Sequence, residues 1–490
     1  MEGRGRDPPG RKWVGPVPFG RAEGRTVAAQ RYVARPAVLS GMGLVLFFAV
    51  LRLLGFVARF RSGSLQMDFS AFYTAGQALN AGVSPYRTNV ALRIWDGVDT
   101  YLHSRFLYPP LVATLFRPLA AVPYYDAKLI WMLFSLGCLA VAIVAVLDYV
   151  PRPWRLEAGL AAGIATALLF PLLTLLERGQ IDAVTLALLA LGIRLLRTDV
   201  PRRRLLAGLF FALATLLKLN VGFVFPFLLL RRSWRAALGF GLGGVVLVGA
   251  TLALNGPAAL SAYLRREMPR IERYGEGGPG GALTPADITV LEGGAVGAGH
   301  TRKDGRVYPD AYFGFSANAT LVRVEAVARR FRRANTPSKL SLRLLEISLL
   351  AMILVELVLS LRRVRLSDPE VLAYWTAVLM IVLLTGPFTW VMNVVWMAVV
   401  PVVVWAQAQR LRSPLQGVFL GVAALGFVLA AVPDSGSFAL LNPFSRHWVE
   451  LVAGNSKYVV AELIVLAAML GVVLSAPSTK AAPPGDGTAA

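Results

Sequence analysis

The chain has 490 residues, 56% of them apolar and only 16% charged, with a mean hydropathy of +0.59. Soluble domains carry about 25% charged residues. Here the apolar residues also come in long blocks, which excludes a string of soluble domains and reads as an all-α polytopic membrane protein. Lys plus Arg number 50 against 28 Asp plus Glu, a net charge of +22. Most of that excess sits in short runs between apolar blocks. It therefore points to anionic membrane lipids and topology control, not to nucleic acid. The single cysteine, Cys138, lies in an apolar run and excludes an intrachain disulfide or a Cys-rich metal site.

Residues 1–36 are rich in Gly, Pro and Arg, hold eight basic residues from Arg4 to Arg35, and read as a disordered tail. The block at 37–58 is too long and too far from the terminus for a cleaved signal peptide and reads as a first membrane helix. Further spans are expected near 127–149, 157–176, 181–197, 204–217, 219–230, 236–254, 341–361, 370–388, 390–408, 414–433 and 457–475, twelve in all. The two short ones, 204–217 and 219–230, form a bent or broken unit around Lys218 and Asn220. Arg152/Arg155, Arg194/Arg197 with Arg202–Arg204, Arg231/Arg232/Arg235, Arg362/Arg363/Arg365 and Arg410/Arg412 fall in alternate loops. The positive-inside rule then puts those five loops and both termini in the cytoplasm. Counting 106–122 as a span would invert every later loop, so Pro109, Pro110 and Pro118 mark it as re-entrant or interfacial. The outer side holds 59–126, 255–340 and 434–456, with all three histidines, His103, His300 and His447. Residues 476–490 read as a second disordered tail around a membrane domain of 37–475.

Gly239-Phe-Gly241-Leu-Gly243-Gly244 matches G-x-G-x-x-G but lies in an apolar run without a preceding strand. It reads as small residues for close helix packing, with Gly159 and Gly163 in support. The segment Met67–Leu79 carries Phe69, Phe72, Tyr73, Gly76 and Leu79 at helical spacing, so an amphipathic helix at the outer surface is expected. Asp68 at its start has two readings: a helix cap, or a carboxylate held at the membrane surface beside a lipid substrate. Charges inside or at the edge of a membrane cost a few kcal/mol each and so call for a role. The candidates are Arg52, Arg117, Lys218 and the turn Glu177-Arg178-Gly179-Gln180-Ile181-Asp182. Lys218 beside a broken helix can bind phosphate or snorkel to the interface; the turn can equally be a polar loop tip. Composition and spans alone also leave open a transporter or flippase of an amphipathic, lipid-like substrate.

Asp68-Phe-x-x-Phe72-Tyr73-x-Ala75-Gly76, Gly82-x-Ser84-Pro85-Tyr86, Phe106-x-Tyr108-Pro109-Pro110 and Pro118-Leu119-Ala120 resemble glycosyltransferase family 87. So do Gly179-Gln180-Ile181-Asp182 and Ala207-Gly208 followed by Lys218-Leu219. The resemblance runs through most of residues 40–410. It implies the membrane-embedded GT-C fold and an inverting, polyprenol-phosphate-mannose-dependent α-mannosyltransferase of the plasma membrane. The reaction would face outside and extend a lipid or glycan acceptor of the cell envelope, without a metal or other cofactor. By the same resemblance Asp68 is the base, and Lys218, Arg178 and Arg52 meet the donor phosphate. Tyr73, Tyr86, Tyr108, Gln180, Asn393 and His300 complete the sugar and acceptor site. One departure stands out: where the family pattern leads us to expect histidine, this chain has Met392 and Asn393.

Overall fold

The computed structural model describes residues 21–63, 67–86, 92–95, 98–100, 106–269, 338–362, 364–385, 391–409, 411, 413–432 and 455–476. Its helices in order are α1 (Arg21–Gly63), α2 (Met67–Asn80), α3 (Pro110–Phe116), α4 (Tyr124–Val146), α5 (Arg155–Leu168), α6 (Phe170–Arg178), α7 (Asp182–Leu196), α8 (Pro201–Leu217), α9 (Val224–Leu230) and α10 (Trp234–Ala262). Beyond 337 come α11 (Ser338–Leu361), α12 (Asp368–Thr385), α13 (Val400–Ala408), α14 (Pro414–Ala431) and α15 (Asn455–Leu474). The described residues of each expected span fall almost entirely on α- or 3₁₀ helix. Among the described residues, five helical stretches are long and apolar enough to cross a membrane each, Arg35–Ala58, Tyr124–Tyr149, Trp234–Glu267, Asp368–Thr385 and Pro414–Ala431, and the bent pair Arg152–Leu168 with Phe170–Arg178 makes a sixth if it is one span.

Lipid is the solvent this composition asks for. On α1, Ala49, Leu53 and Val57 are buried at a spacing of four, while Leu44, Phe47, Phe48, Leu51 and Leu54 are exposed. One stripe packs on protein, and the remaining apolar face has no protein partner among the described residues. At the centre, α12 is buried almost throughout and carries the core residues Tyr374 and Trp375. Two of the four glycines in the G-x-G-x-x-G run, Gly239 and Gly243, serve packing, while a Cβ on Gly241 or Gly244 would have nothing within 4 Å. A Cβ on Gly239 would sit 2.0 Å from the Leu205 carbonyl oxygen, and one on Gly208 would sit 2.0 Å from that of Ala236. Helices α8 and α10 can approach this closely only because both positions lack side chains.

The structure corrects several expectations. The block at 157–176 is not one straight helix: α5 and α6 meet at Leu169 with a bend of 62°. Pro171 has no N–H for the Ala167 carbonyl, which frees the ladder there. Helix α1 begins at Arg21, so the last part of the segment read as a tail continues the first helix. Helix α10 runs past Leu254 through a kink at Gly256 (φ 76°) and Pro257, so the outer loop read as 255–340 begins in helix. A two-stranded hairpin, β1 (Leu92–Trp95) with β2 (Val98–Thr100), interrupts the all-α pattern. Helix α2 is not an exposed amphipathic helix, since residues Phe69 to Gly76 are all buried. The reading of 106–122 as non-crossing fits α3, whose seven residues rise only about 10 Å.

Three of the five basic loops, those of Arg152/Arg155, Arg194/Arg197 and Arg362, meet at one end of the bundle. Arg35 pairs with Glu157 (2.6 Å), Arg155 and Arg194 share Asp148 (3.2 and 2.6 Å), and Arg197 holds Asp368 (2.6 Å). Arg362 caps the end of α15 by donating to the carbonyls of Leu474 and Ala476. The start of the first span, the α4–α5 turn, the end of α7, the α11–α12 link and the end of α15 are thus tied together.

Candidate active site

Aromatic packing sets the entrance helix in place. Phe72 stacks on Phe116 at 4.6 Å and 13°, and Phe69 lies parallel to Trp131 at 6.2 Å and 21°. Gly76 allows this approach, because a Cβ there would meet the Phe116 carbonyl oxygen at 2.8 Å. These contacts hold α2 against α3 and α4 and fix the position of Asp68 in its first turn. Asp68 therefore lies inside the helix and not at the flanking cap position. Its Oδ2 is buried with no hydrogen-bond partner among the described residues.

The α6–α7 turn supplies the next groups. Gly179 takes the left-handed conformation (φ 72°) that ends a helix, and its N–H bonds to the Leu175 carbonyl at 2.8 Å. The indole N–H of Trp131 donates to the Gly179 carbonyl at 2.8 Å and locks the turn. Gln180 then faces two ways: its Oε1 accepts from the Tyr108 hydroxyl at 3.1 Å, and its side chain lies close enough to Asp68 to favour the carboxylate. Asp182, two residues on, opens α7 fully buried.

The break expected at Lys218 is present. Helix α8 ends there as the chain turns extended (φ −143°, ψ 110°), a 3₁₀ stretch follows over Leu219–Phe223, and α9 resumes at Val224. Asn220 anchors the break by donating to the Val382 carbonyl at 3.2 Å. The lysine does not snorkel. Its side chain is 16% exposed, and Nζ lies 2.8 Å from Oδ1 of Asp182, whose other oxygen accepts from Asn393 at 2.6 Å. Asn393 belongs to a nine-residue 3₁₀ helix, Val391–Val399. Runs of that length are uncommon and often mark function or strain.

The result is a cluster of two carboxylates, Asp68 and Asp182, with two cations, Arg178 and Lys218, all within electrostatic reach of Asp68. Burial raises the Asp68 pKa above its ordinary 3.8; Arg178 and the Gln180 side chain oppose that shift, and Asp182 adds to it. Burial and the two carboxylates also hold the Tyr108 phenol protonated, so it can only donate to Gln180. The arrangement can accept a proton at Asp68 and place positive charge a short distance away.

Of the residues singled out from sequence, the structure brings together Asp68, Arg178, Gln180, Tyr108, Lys218 and Asn393. Tyr73 and Tyr86 stand in the supporting layer. Their hydroxyls donate to the carbonyls of Val122 (2.6 Å) and Tyr108 (2.8 Å), and Tyr86 stacks on Tyr263 at 6.2 Å. Arg52 is exposed on α1 and donates to the Ala167 carbonyl at 3.4 Å, the group Pro171 leaves without an N–H. Its described contact is with the α5–α6 bend and not with the cluster. His300, like His103 and His447, lies outside the described residues. Asp182 was visible in sequence only as part of a polar turn, yet it joins Lys218 to Asn393, 211 residues away. Lys128, fully buried on α4 with Nζ 5.6 Å from the Tyr125 ring centre, was also missed. Its signal was a lone lysine in an apolar block.

Comparison with known proteins gives two findings. The family profile of glycosyltransferase family 87 matches residues 106–355. A protein of Mycobacterium tuberculosis, named polyprenol-phosphate-mannose-dependent alpha-(1-2)-phosphatidylinositol mannoside mannosyltransferase, is 32% identical over 187 residues. That match covers 32% of this chain and 43% of the relative, so less than half of the relative's length is spanned.

Proposed function

Because the chain belongs to glycosyltransferase family 87, we propose that it is an inverting membrane glycosyltransferase. It moves a hexose, mannose by the name of its relative, from a polyprenyl-phosphate donor to an extracytoplasmic lipid or glycan acceptor. The observation that carries the reading is the buried Oδ2 of Asp68, without a hydrogen-bond partner among the described residues, beside Arg178 and Lys218. The acceptor hydroxyl oxygen attacks the anomeric carbon and gives its proton to Asp68. The bond from that carbon to the phosphate oxygen breaks on the opposite face, and the electron pair leaves with the phosphate. One negative charge thus moves from Asp68 to the lipid phosphate, where Arg178 and Lys218 stabilise it. Asn393 takes part through Asp182, and Tyr108 through Gln180.

Lys218→Met tests the donor side. Losing one charge-assisted contact weakens binding by about 1.5–3 kcal/mol, so the apparent donor constant is expected to rise one to two decades. The measurement is transfer of labelled mannose from polyprenyl phosphate in detergent micelles, beside a thermal melt. Unchanged donor kinetics in a folded variant would refute the contact. Transfer in micelles also separates an enzyme from a flippase, which needs a sealed bilayer.

The proposed topology is twelve membrane segments, with the Arg-rich end cytoplasmic and the Asp68 cluster outside. The meeting of three basic loops at one end of the bundle supports it. Glu177 and Arg203 are exposed on neighbouring elements near opposite ends of α7. In a Cys138→Ala background, an impermeant thiol reagent applied outside is expected to label Glu177→Cys and spare Arg203→Cys. Equal labelling of both would overturn the topology.

A further inference from the structure

At the end of α7 away from Asp182 there is a cavity of about 200 Å³, walled by Tyr149, Pro151, Arg152 and Arg155 on the α4–α5 turn, Arg197 after α7 and Asp368 opening α12. Fifteen residues of helix put it roughly 22 Å from the catalytic cluster at 1.5 Å per residue. We propose that this cavity binds the phosphate of an anionic phospholipid headgroup at the Arg-rich membrane face.

Charge is the first argument. Asp368 is used by Arg197, whose Nε and Nη2 both reach Oδ2, at 2.8 and 2.6 Å. Asp148 is shared by Arg155 and Arg194. Four guanidinium groups against two carboxylates leave a surplus of two positive charges, 4 − 2 = +2. Arg152 is exposed and has no partner among the described residues. Arg155 is held rigidly at the wall by the carbonyls of Val150 (3.1 Å) and Asp148 (3.2 Å). An open guanidinium beside a preorganised one suits a phosphate, whose oxygens accept paired N–H bonds.

Size and surroundings decide the source of that phosphate. At ~30 Å³ per water the cavity has space for about seven, room for a phosphodiester with its glycerol stub. Beside it, among exposed charged residues, two side chains of the rim are apolar and exposed: Leu156, next to Arg155, at 59%, and Val200, three residues after Arg197, at 47%. Tyr149, buried with its hydroxyl donating to the Ile193 carbonyl at 2.6 Å, forms the rigid inner wall. A soluble phosphate ester would leave those two apolar side chains bare; acyl chains cover them.

The test uses the full-length protein in detergent and reads lipid adducts by native mass spectrometry, so it does not depend on sugar transfer. Phosphatidylglycerol is expected to bind at about fivefold lower concentration than phosphatidylcholine, the scale of one basic residue near an anionic surface. Arg152→Gln should abolish that preference, whereas Arg203→Gln on the neighbouring α8 should preserve it. Glycerol 3-phosphate at matched concentration should not displace the lipid. An unaltered preference in Arg152→Gln overturns the site. An equal loss in Arg203→Gln overturns it in favour of diffuse attraction, and full displacement by glycerol 3-phosphate overturns the lipid.

Discussion

Asp68→Asn is expected to fold normally and to lose at least ~10²-fold in turnover, the lower end of what a positioned base contributes. The change keeps shape and removes only charge and basicity. Asp68 lies in the first turn of α2, where losing its charge costs only about 0.3–1 kcal/mol of helix-dipole stabilisation, so a structural role would leave turnover near normal. The amide also keeps an acceptor oxygen towards Gln180, whose side chain favours the present carboxylate. Donor binding should persist, because Arg178 and Lys218 remain and a nearby negative charge is gone. The pH profile gives an independent reading. A base works only deprotonated, so wild-type kcat/KM should fall as pH drops through the Asp68 pKa. Burial places that limb above the ordinary carboxylate value of 3.8. The variant should lack the limb. Transfer of labelled mannose across pH, beside a melt and a donor titration, decides the matter. Near-normal transfer would remove the central residue from the proposed mechanism.

Much of the fold was legible because lipid imposes a coarse rule. A span needs a long apolar block, and the described residues of each expected block fall almost entirely on helix. Hydropathy is blind to how a block bends. Pro171 was in view, but only packing decides between a kink and a 62° turn. Helix α2 shows the same limit. Its aromatic spacing announced a helix, yet Phe69, Phe72 and Tyr73 say nothing of whether the opposite face meets water or α3. The site was legible as residue types at breaks: Asp68 after a span, Lys218 between two short helices, the polar turn at Gly179. What joins them was not. Asn393 bonds Asp182 across 211 residues, and no local pattern encodes a partner so distant. Arg52 shows the converse. Its cost in hydrocarbon suggested a substrate, and the structure instead gives it the carbonyl that Pro171 leaves open.

The second large effect is expected at Asp182. Its carboxylate is fully buried, and Lys218 at 2.8 Å is 16% exposed, so solvent screens the pair little. Removing one member of a buried pair leaves the other uncompensated and costs about 3–5 kcal/mol. Asp182→Leu should therefore lower the apparent melting temperature steeply, and the loss includes the acceptor of Asn393. Lys218→Met should destabilise for the mirror reason, by stranding the carboxylate. The double variant Asp182→Leu with Lys218→Met removes both charges together. Apolar replacement of a whole buried pair is often neutral or stabilising, so the double variant should recover most of the melting temperature that either single variant loses. Such recovery is the mark of direct coupling. Transfer should not recover with it, since no cation remains at position 218 for the lipid phosphate. That split between restored stability and absent activity distinguishes a lysine that works on the donor from one that merely balances Asp182. If the two losses simply add, the ion pair is not the link between them. If transfer returns with stability, Lys218 has no role beyond its partner, and the phosphate must be met by Arg178 alone.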